Sequence, residues 1–149
     1  TQNTKPTKEE NQVGIIKGND FRSEAMMKFT DAYVNNDLNS VSDLFTEEAK
    51  IMVNDADLTF SEMAAGLSNG HNYFDNIRHE DRDAFTMHYK EGKIAGNIFT
   101  HYWYTWKATS KKTGEEISIR GYAWMKWNGD KVEALYNAFD PTLYRAQIE

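Results

Sequence analysis

Six side chains stand out for the chemistry they could do: His88, His101, Asp55, Tyr102, Tyr104 and Asn137. An imidazole titrates near neutrality, so His88 or His101 could give or take a proton. Asp55 offers a carboxylate base. Tyr102 and Tyr104 are phenols two residues apart. A phenol of ordinary pKa, about 10, is a donor rather than a base near neutral pH. Two phenols and an amide can orient a carbonyl or a hydroxyl, but they supply no strong proton acceptor. The alternative account makes both tyrosines core aromatics with satisfied hydroxyls and each histidine a simply hydrogen-bonded residue. His71 and His79 lie eight residues apart, which is not the spacing of a helical metal pair such as His-Glu-x-x-His. His79-Glu80-Asp81 reads as a solvated helix end. No metal and no cofactor are expected.

These residues need elements to position them. Residues 94–106, 117–127 and 131–139 are rich in β-branched and aromatic residues and hold all four tryptophans. They read as three long antiparallel strands joined by hairpins, the second at Asn128-Gly129. Alternation along the first strand sends Tyr102 and Tyr104 to one face, and Phe99, His101 and Trp103 to the other. Upstream, Asn19 or Asp20 can cap a helix in which Phe21, Ala25, Met26, Phe29, Ala32 and Tyr33 recur at helical spacing. Residues 37–45 read as a shorter helix, 50–54 as a strand and 54–57 as a turn. A third helix starts at Thr59 or Ser61 and carries Met63, Leu67, Phe74 and Ile77 at helical spacings. Residues 84–89 alternate as a strand, followed by a Glu91-Gly92-Lys93 turn. Pro141 ends the last strand, and 142–149 can wind into a turn of helix. Helices first and strands afterwards predict an α+β fold with helices covering one face of an antiparallel sheet.

The chain has 149 residues, 40% of them hydrophobic and 13% aromatic, enough for one domain with its own core. Its net charge of −6 lacks the basic footprint of a non-specific nucleic-acid binder. There are no cysteines, which excludes disulfides, thiolate nucleophiles and cysteine-type zinc sites. No apolar run reaches the roughly 18–20 residues that span a bilayer, so no membrane insertion is expected. The first dozen residues are polar with one proline and cannot offset their ordering entropy by burial. Residues 1–18 are therefore expected to be a flexible leader, and 19–149 a single domain. Export, to a periplasm or to a lipid anchor through the leader, is the compartment expected of such a leader on a cysteine-free chain.

Two stretches resemble the SnoaL-like group of the nuclear transport factor 2-like superfamily. One runs from Ala32-Tyr33-Val34-Asn35-Asn36-Asp37 to Leu44-Phe45-Thr46-Glu47-Glu48-Ala49. It is similar to the family's helix, short helix, Leu-aromatic-x-acidic-acidic-Ala and strand opening. The other runs from Gly129-Asp130-Lys131-Val132 to Tyr136-Asn137-Ala138-Phe139-Asp140-Pro141 and resembles the family's final strand. The resemblance implies a cone-shaped, strongly bent sheet wrapped around a long helix, its mouth opening on a mostly apolar cavity. Epoxide hydrolases of this fold carry an Arg-x-Asp pair on the long strand and a second aspartate on the last. The matching positions here are Tyr102, Tyr104 and Asn137, with Asp140 at the non-catalytic end. All three charged groups are replaced by neutral ones. Losing one acid or base typically costs 10²–10⁴ in rate, so the set argues against that hydrolase chemistry. The general base of ketosteroid isomerases aligns with Val53, two residues before Asp55.

The expectation that follows is a SnoaL-like domain with a non-catalytic, small-molecule-binding pocket. Tyr102, Tyr104, Asn137, Trp106 and Phe139 are its expected contacts, and the ligand is a small apolar molecule with one or two polar groups. One alternative is an isomerase, cyclase or dehydratase working through His88, His101 or Asp55. Another is an interaction module whose cavity is filled by its own side chains. The outward aromatics predict a homodimer through the outer sheet face. An enzyme should show a histidine or carboxylate inside the cavity within hydrogen-bond reach of a second polar group.

Overall fold

The computed structural model describes residues 12–149. Seven strands form one sheet in the order β1-β4-β5-β6-β7-β2-β3. The strands are β1 Val13–Lys17, β2 Phe45–Val53, β3 Ala56–Leu58, β4 Phe74–Glu91, β5 Ile98–Ser110, β6 Glu116–Asn128 and β7 Lys131–Phe139. Among the described residues three α-helices accompany them: α1 Phe21–Val34, α2 Phe60–Gly70 and α3 Thr142–Ile148. Residues 1–11 of the expected leader lie outside the described residues. Its last part is not leader: β1 pairs antiparallel with β4, Ile15 opposite His88 and Ile16 opposite Met87.

The helices begin where the sequence offers caps. Asp20 accepts the Arg22 amide at the start of α1. Thr59 and Glu62 close a reciprocal capping box on α2, satisfying two of the helix's free amides. Between α1 and β2, Leu38–Leu44 winds as a 3₁₀ helix where a short helix was expected. α1 packs on β4 and β5. Met26, Phe29 and Tyr33 bury themselves there against Tyr102, Trp106 and Met125 from the sheet.

The sheet departs from expectation in three ways, each with a physical cause. It is mixed rather than antiparallel, because β2 runs parallel to β7, Ile51 opposite Leu135 and Val53 opposite Asn137. The hairpin between β4 and β5 is wider than a tight turn at residues 91–93, with Gly92 and Gly96 both at positive φ. Above all, the third helix stops at Gly70, and residues 74–83 belong to β4. Its register against β5 slips twice, between Asp75 and Arg78 and between Glu80 and Asp83. Asn76 and Asp81 sit at these slips with φ of 55° and 51°, a left-handed conformation that Asn and Asp tolerate. Each bulge inserts one residue and bends the strand. Phe74 and Ile77, three apart, are therefore both buried. Their spacing imitates a helix although it arises in a bulged strand.

Candidate functional site

The concave face of the sheet and the helices across it enclose a cavity of about 80 Å³. Met26, Phe29, Thr30 and Tyr33 of α1 form one wall, and Met63 and Leu67 of α2 close a second. Tyr102, Tyr104 and Trp106 of β5 and Leu135, Asn137 and Phe139 of β7 form the sheet side. Tyr144 of α3 lies over one end, its ring stacked on Phe74 with centroids 5.0 Å apart. The surface is overwhelmingly apolar, and no Asp, Glu, Lys or Arg is among its lining residues.

Alternation places Tyr102, Tyr104 and Trp106 on the cavity wall, as it does Asn137 and Phe139. Tyr104 owes its position to Gly121, the residue opposite it on β6. Its ring lies over that glycine, and a Cβ there would collide with the hydroxyl end of the ring. From this place the Tyr104 hydroxyl donates to Asn137 Oδ1 at 2.6 Å. Trp106 Nε1 donates to the Tyr33 hydroxyl at 2.8 Å. Burial holds the Tyr33 and Tyr104 phenols far above their ordinary pKa, so both stay protonated.

The three residues proposed from sequence as acid or base lie elsewhere. Asp55 is exposed in the turn between β2 and β3. His88 holds Asp20 Oδ2 at 2.9 Å, at the foot of α1. Burial alone would raise the Asp20 carboxyl. The Arg22 amide, the His88 ring and the Arg22 guanidinium together keep it below its usual value. His101 is on the convex face, its Nδ1 2.5 Å from the Tyr122 hydroxyl. Its Nε2 is buried without a partner among the described residues. None of the three lines the cavity.

The histidine on the cavity wall is His79, which the sequence presented as a solvated helix end. It lies in β4 between the two bulges, opposite Trp106, and stacks on Tyr104 with centroids 4.3 Å apart and planes 6° from parallel. Its Nδ1 is 2.8 Å from the Tyr102 hydroxyl. Burial, helped by the nearby Arg82 charge, lowers its pKa to about 3, so the ring is neutral near pH 7. The bulge at Asp81 brings Arg82 to the same side as His79, three residues on. Arg82 Nε donates to the Tyr102 hydroxyl at 3.0 Å, Nη2 to Thr30 Oγ1 at 2.6 Å and to Met27 O at 3.1 Å, and Nη1 to Asp31 at 2.9 Å. A buried phenol is thus tied to a surface ion pair by a guanidinium outside the cavity. The one sequence cue to this arrangement was Asn76 and Asp81 in a polar stretch, each able to take a left-handed bulge conformation.

No protein-family model matches the chain, and no curated protein matches it. Solved structures do. A protein of ketosteroid isomerase-like fold from Catenulispora acidiphila, solved with trimethylamine, superposes with a TM-score of 0.60 at 12% identity, covering 83% of this chain and 91% of that one. A nuclear transport factor 2-like protein of unknown function from Burkholderia pseudomallei gives 0.58 at 10% identity, covering 84% and 95%. A candidate SnoaL-like polyketide cyclase from Shewanella putrefaciens gives 0.57 at 13% identity, covering 87% and 96%. The fold is that of the nuclear transport factor 2-like superfamily. At these identities the likeness concerns architecture alone, since one fold hosts many activities. In this SnoaL-like fold the bent sheet, the helix across it and the cavity between them are the features that position His79 and Tyr102.

Proposed function

We propose that the chain is a small-molecule-binding protein whose cavity takes a compact, largely apolar ligand with one or two polar groups. The observation that carries this reading is the neutrality of the cavity. Its polar side chains are phenols held protonated, a threonine hydroxyl, an indole N–H, an amide and an imidazole held uncharged. An uncharged lining strips little hydration from an apolar ligand, and its few polar groups fix orientation. A cavity of about 80 Å³ favours a molecule of a few heavy atoms over a drug-sized one, which needs roughly 300 Å³ or more. The trimethylamine bound to the structural relative from Catenulispora acidiphila is of that scale.

Turnover is the second reading, and one observation favours it: His79 Nδ1 lies 2.8 Å from the Tyr102 hydroxyl, inside the cavity and within hydrogen-bond reach of a second polar group. Two features weigh against it. An imidazole whose pKa is about 3 is a feeble base, because general-base efficiency is greatest with a pKa near the operating pH. Among the described residues no carboxylate lines the cavity to take its place.

A second copy of the chain is the proposed protein partner. Phe85, Phe99, His101, Trp103, Tyr122 and Trp124 form one contiguous aromatic patch on the convex face, their rings variously stacked, tilted and edge-on. Trp103 is 43% exposed. Two such faces pressed together would remove the patch from water.

The test of the binding reading is a thermal-shift and NMR titration with a library of small ketones, amines and hydrocarbons. A bound ligand raises the melting temperature by mass action and moves the resonances of Tyr104, Asn137 and His79. A library that moves none of them at millimolar concentration refutes the reading. Steady turnover of a library member by the wild-type chain, abolished in His79→Phe, would favour the second reading.

A further inference from the structure

The cavity is covered unevenly. Most of its lining side chains are fully buried, whereas Val53, Leu67, His79, Asn137, Phe139 and Tyr144 are only partly so. His79 belongs to β4, but the other five gather at one end. Val53 lies opposite Asn137 where β2 and β7 finish. Phe139 closes β7, and Leu67 is one turn from the end of α2. This end is the mouth, and Tyr144 of α3 spans it. Its ring stacks on Phe74 and meets Trp106 edge-on, with centroids 5.0 and 5.8 Å away. Its hydroxyl rests against Gly70, the last residue of α2, in space that a Cβ would take.

The element that carries Tyr144 is lightly held. α3 has seven residues, and a helix shorter than roughly 12 residues does not persist in water by itself. None of its residues is fully buried, and Leu143 is 50% exposed. Tyr144 and Ile148 are its partly buried apolar anchors. Among the described residues its polar ties to the rest of the fold are Ser110 Oγ to Gln147 Oε1 at 2.6 Å, and Lys112 Nζ to the main-chain oxygens of Ala146 and Glu149. A segment with so few buried contacts opens at a fraction of the cost of global unfolding.

We infer that α3 is a lid on the cavity and Tyr144 its gatekeeping side chain: ligand enters when the ring leaves Phe74, and the closed ring sets how long a ligand the pocket accepts. With the lid shut, the pocket takes a compact molecule that ends beside Tyr144. With the ring gone, an aryl group on the same molecule can stack on Phe74 in its place. This inference rests on the reading that the cavity receives a ligand, and it assigns the residue that limits that ligand's size.

Two ketones that differ by one ring test it: butanone and its phenyl derivative benzylacetone, titrated by NMR into the wild type, Tyr144→Ala and Gly70→Ala. The wild type should favour butanone. Tyr144→Ala should bind benzylacetone about tenfold or more tightly than the wild type does, the factor that burying one ring supplies, with butanone little changed. Gly70→Ala keeps the helical backbone of α2 and pushes out the Tyr144 hydroxyl, so it should move the preference the same way. Hydrogen exchange of the wild type reads the lid directly. The Arg145 amide, bonded to the Pro141 carbonyl, should exchange at least about tenfold faster than amides at the centre of β5, and faster still in Gly70→Ala. If Tyr144→Ala does not fold, Gly70→Ala and the exchange rates decide the matter. Benzylacetone bound no better by the variants, while butanone still binds, overturns the inference and leaves the binding reading standing. So does an α3 that exchanges as slowly as the core. If neither ketone binds any of the three proteins, both fall together.

Discussion

The neutrality of His79 can be tested through folding stability. In the unfolded chain this imidazole has its ordinary pKa of 6.5, and in the fold it is lowered to about 3. Between these values the unfolded state binds a proton that the native state refuses. Stability from this residue is therefore complete above the unfolded pKa and is lost as pH falls through the window from 6.5 toward 3. The slope within the window is about 1.4 kcal/mol per pH unit. From about pH 7 to about pH 5 the wild type should lose about 2 kcal/mol through His79 alone. His79→Gln removes the titration and keeps a polar side chain beside Tyr102. The assay is urea unfolding of both proteins at the two pH values, followed by tryptophan fluorescence. The variant starts less stable near neutrality, and its stability should fall by about 2 kcal/mol less than that of the wild type. Other acid-sensitive groups, the Asp20 pair among them, are common to both proteins and cancel in the comparison. Parallel losses in the two proteins would mean that His79 charges freely in the fold, and the neutral cavity would be refuted with it.

Other expectations concern separate parts of the molecule. Gly121→Ala drives a methyl against the hydroxyl end of Tyr104, and should destabilise by about 1–3 kcal/mol and shift the Asn137 side-chain amide resonances. Thr100→Val removes the acceptor of the buried Trp127 indole N–H and breaks the Thr86 hydroxyl contact. A loss of about 1–3 kcal/mol is expected in denaturant unfolding. Trp103→Glu sets a charge in the convex aromatic patch. Sedimentation should find the wild type dimeric and this variant monomeric at micromolar concentration, whereas a monomeric wild type would remove the homodimer.

What was legible in the sequence depended on regular alternation. Along β5 the period of two runs unbroken from Ile98 to Ser110. Tyr102, Tyr104 and Trp106 could therefore be put on one face and His101 and Trp103 on the other, which is where they are. Asn137 was singled out through the likeness of the last strand to a known family, and Asn137 and Phe139 both line the cavity. The bent α+β fold was legible in the same way, whereas β1, inside the expected leader, and β3, at the expected turn of residues 54–57, were not. His79 was not, because β4 hides its period. Two inserted residues put Phe74 with Ile77 and His79 with Arg82 at spacings of three, and a spacing of three reads as helix. The parallel pairing of β2 with β7 was equally hidden, since no local pattern records which distant strand becomes a neighbour.

The bulges that hid His79 also explain why a histidine can sit there. A regular strand would turn either His79 or Arg82 outward, since residues three apart alternate faces. With Asp81 inserted, both meet the single hydroxyl of Tyr102, one from the cavity side and one from the surface side. The guanidinium keeps its charge near water through Asp31, whose side chain is largely exposed. The imidazole has no such outlet and gives up its proton. One phenol thus separates an ionised surface pair from a neutral cavity. Asp81→Gly should preserve that separation, because glycine adopts positive φ freely. Asp81→Val, a β-branched residue that disfavours positive φ, should loosen the bulge and with it the hold of Arg82 on the Tyr102 oxygen. If that variant keeps the His79 and Tyr102 resonances of the wild type, the bulge is not what joins these three residues.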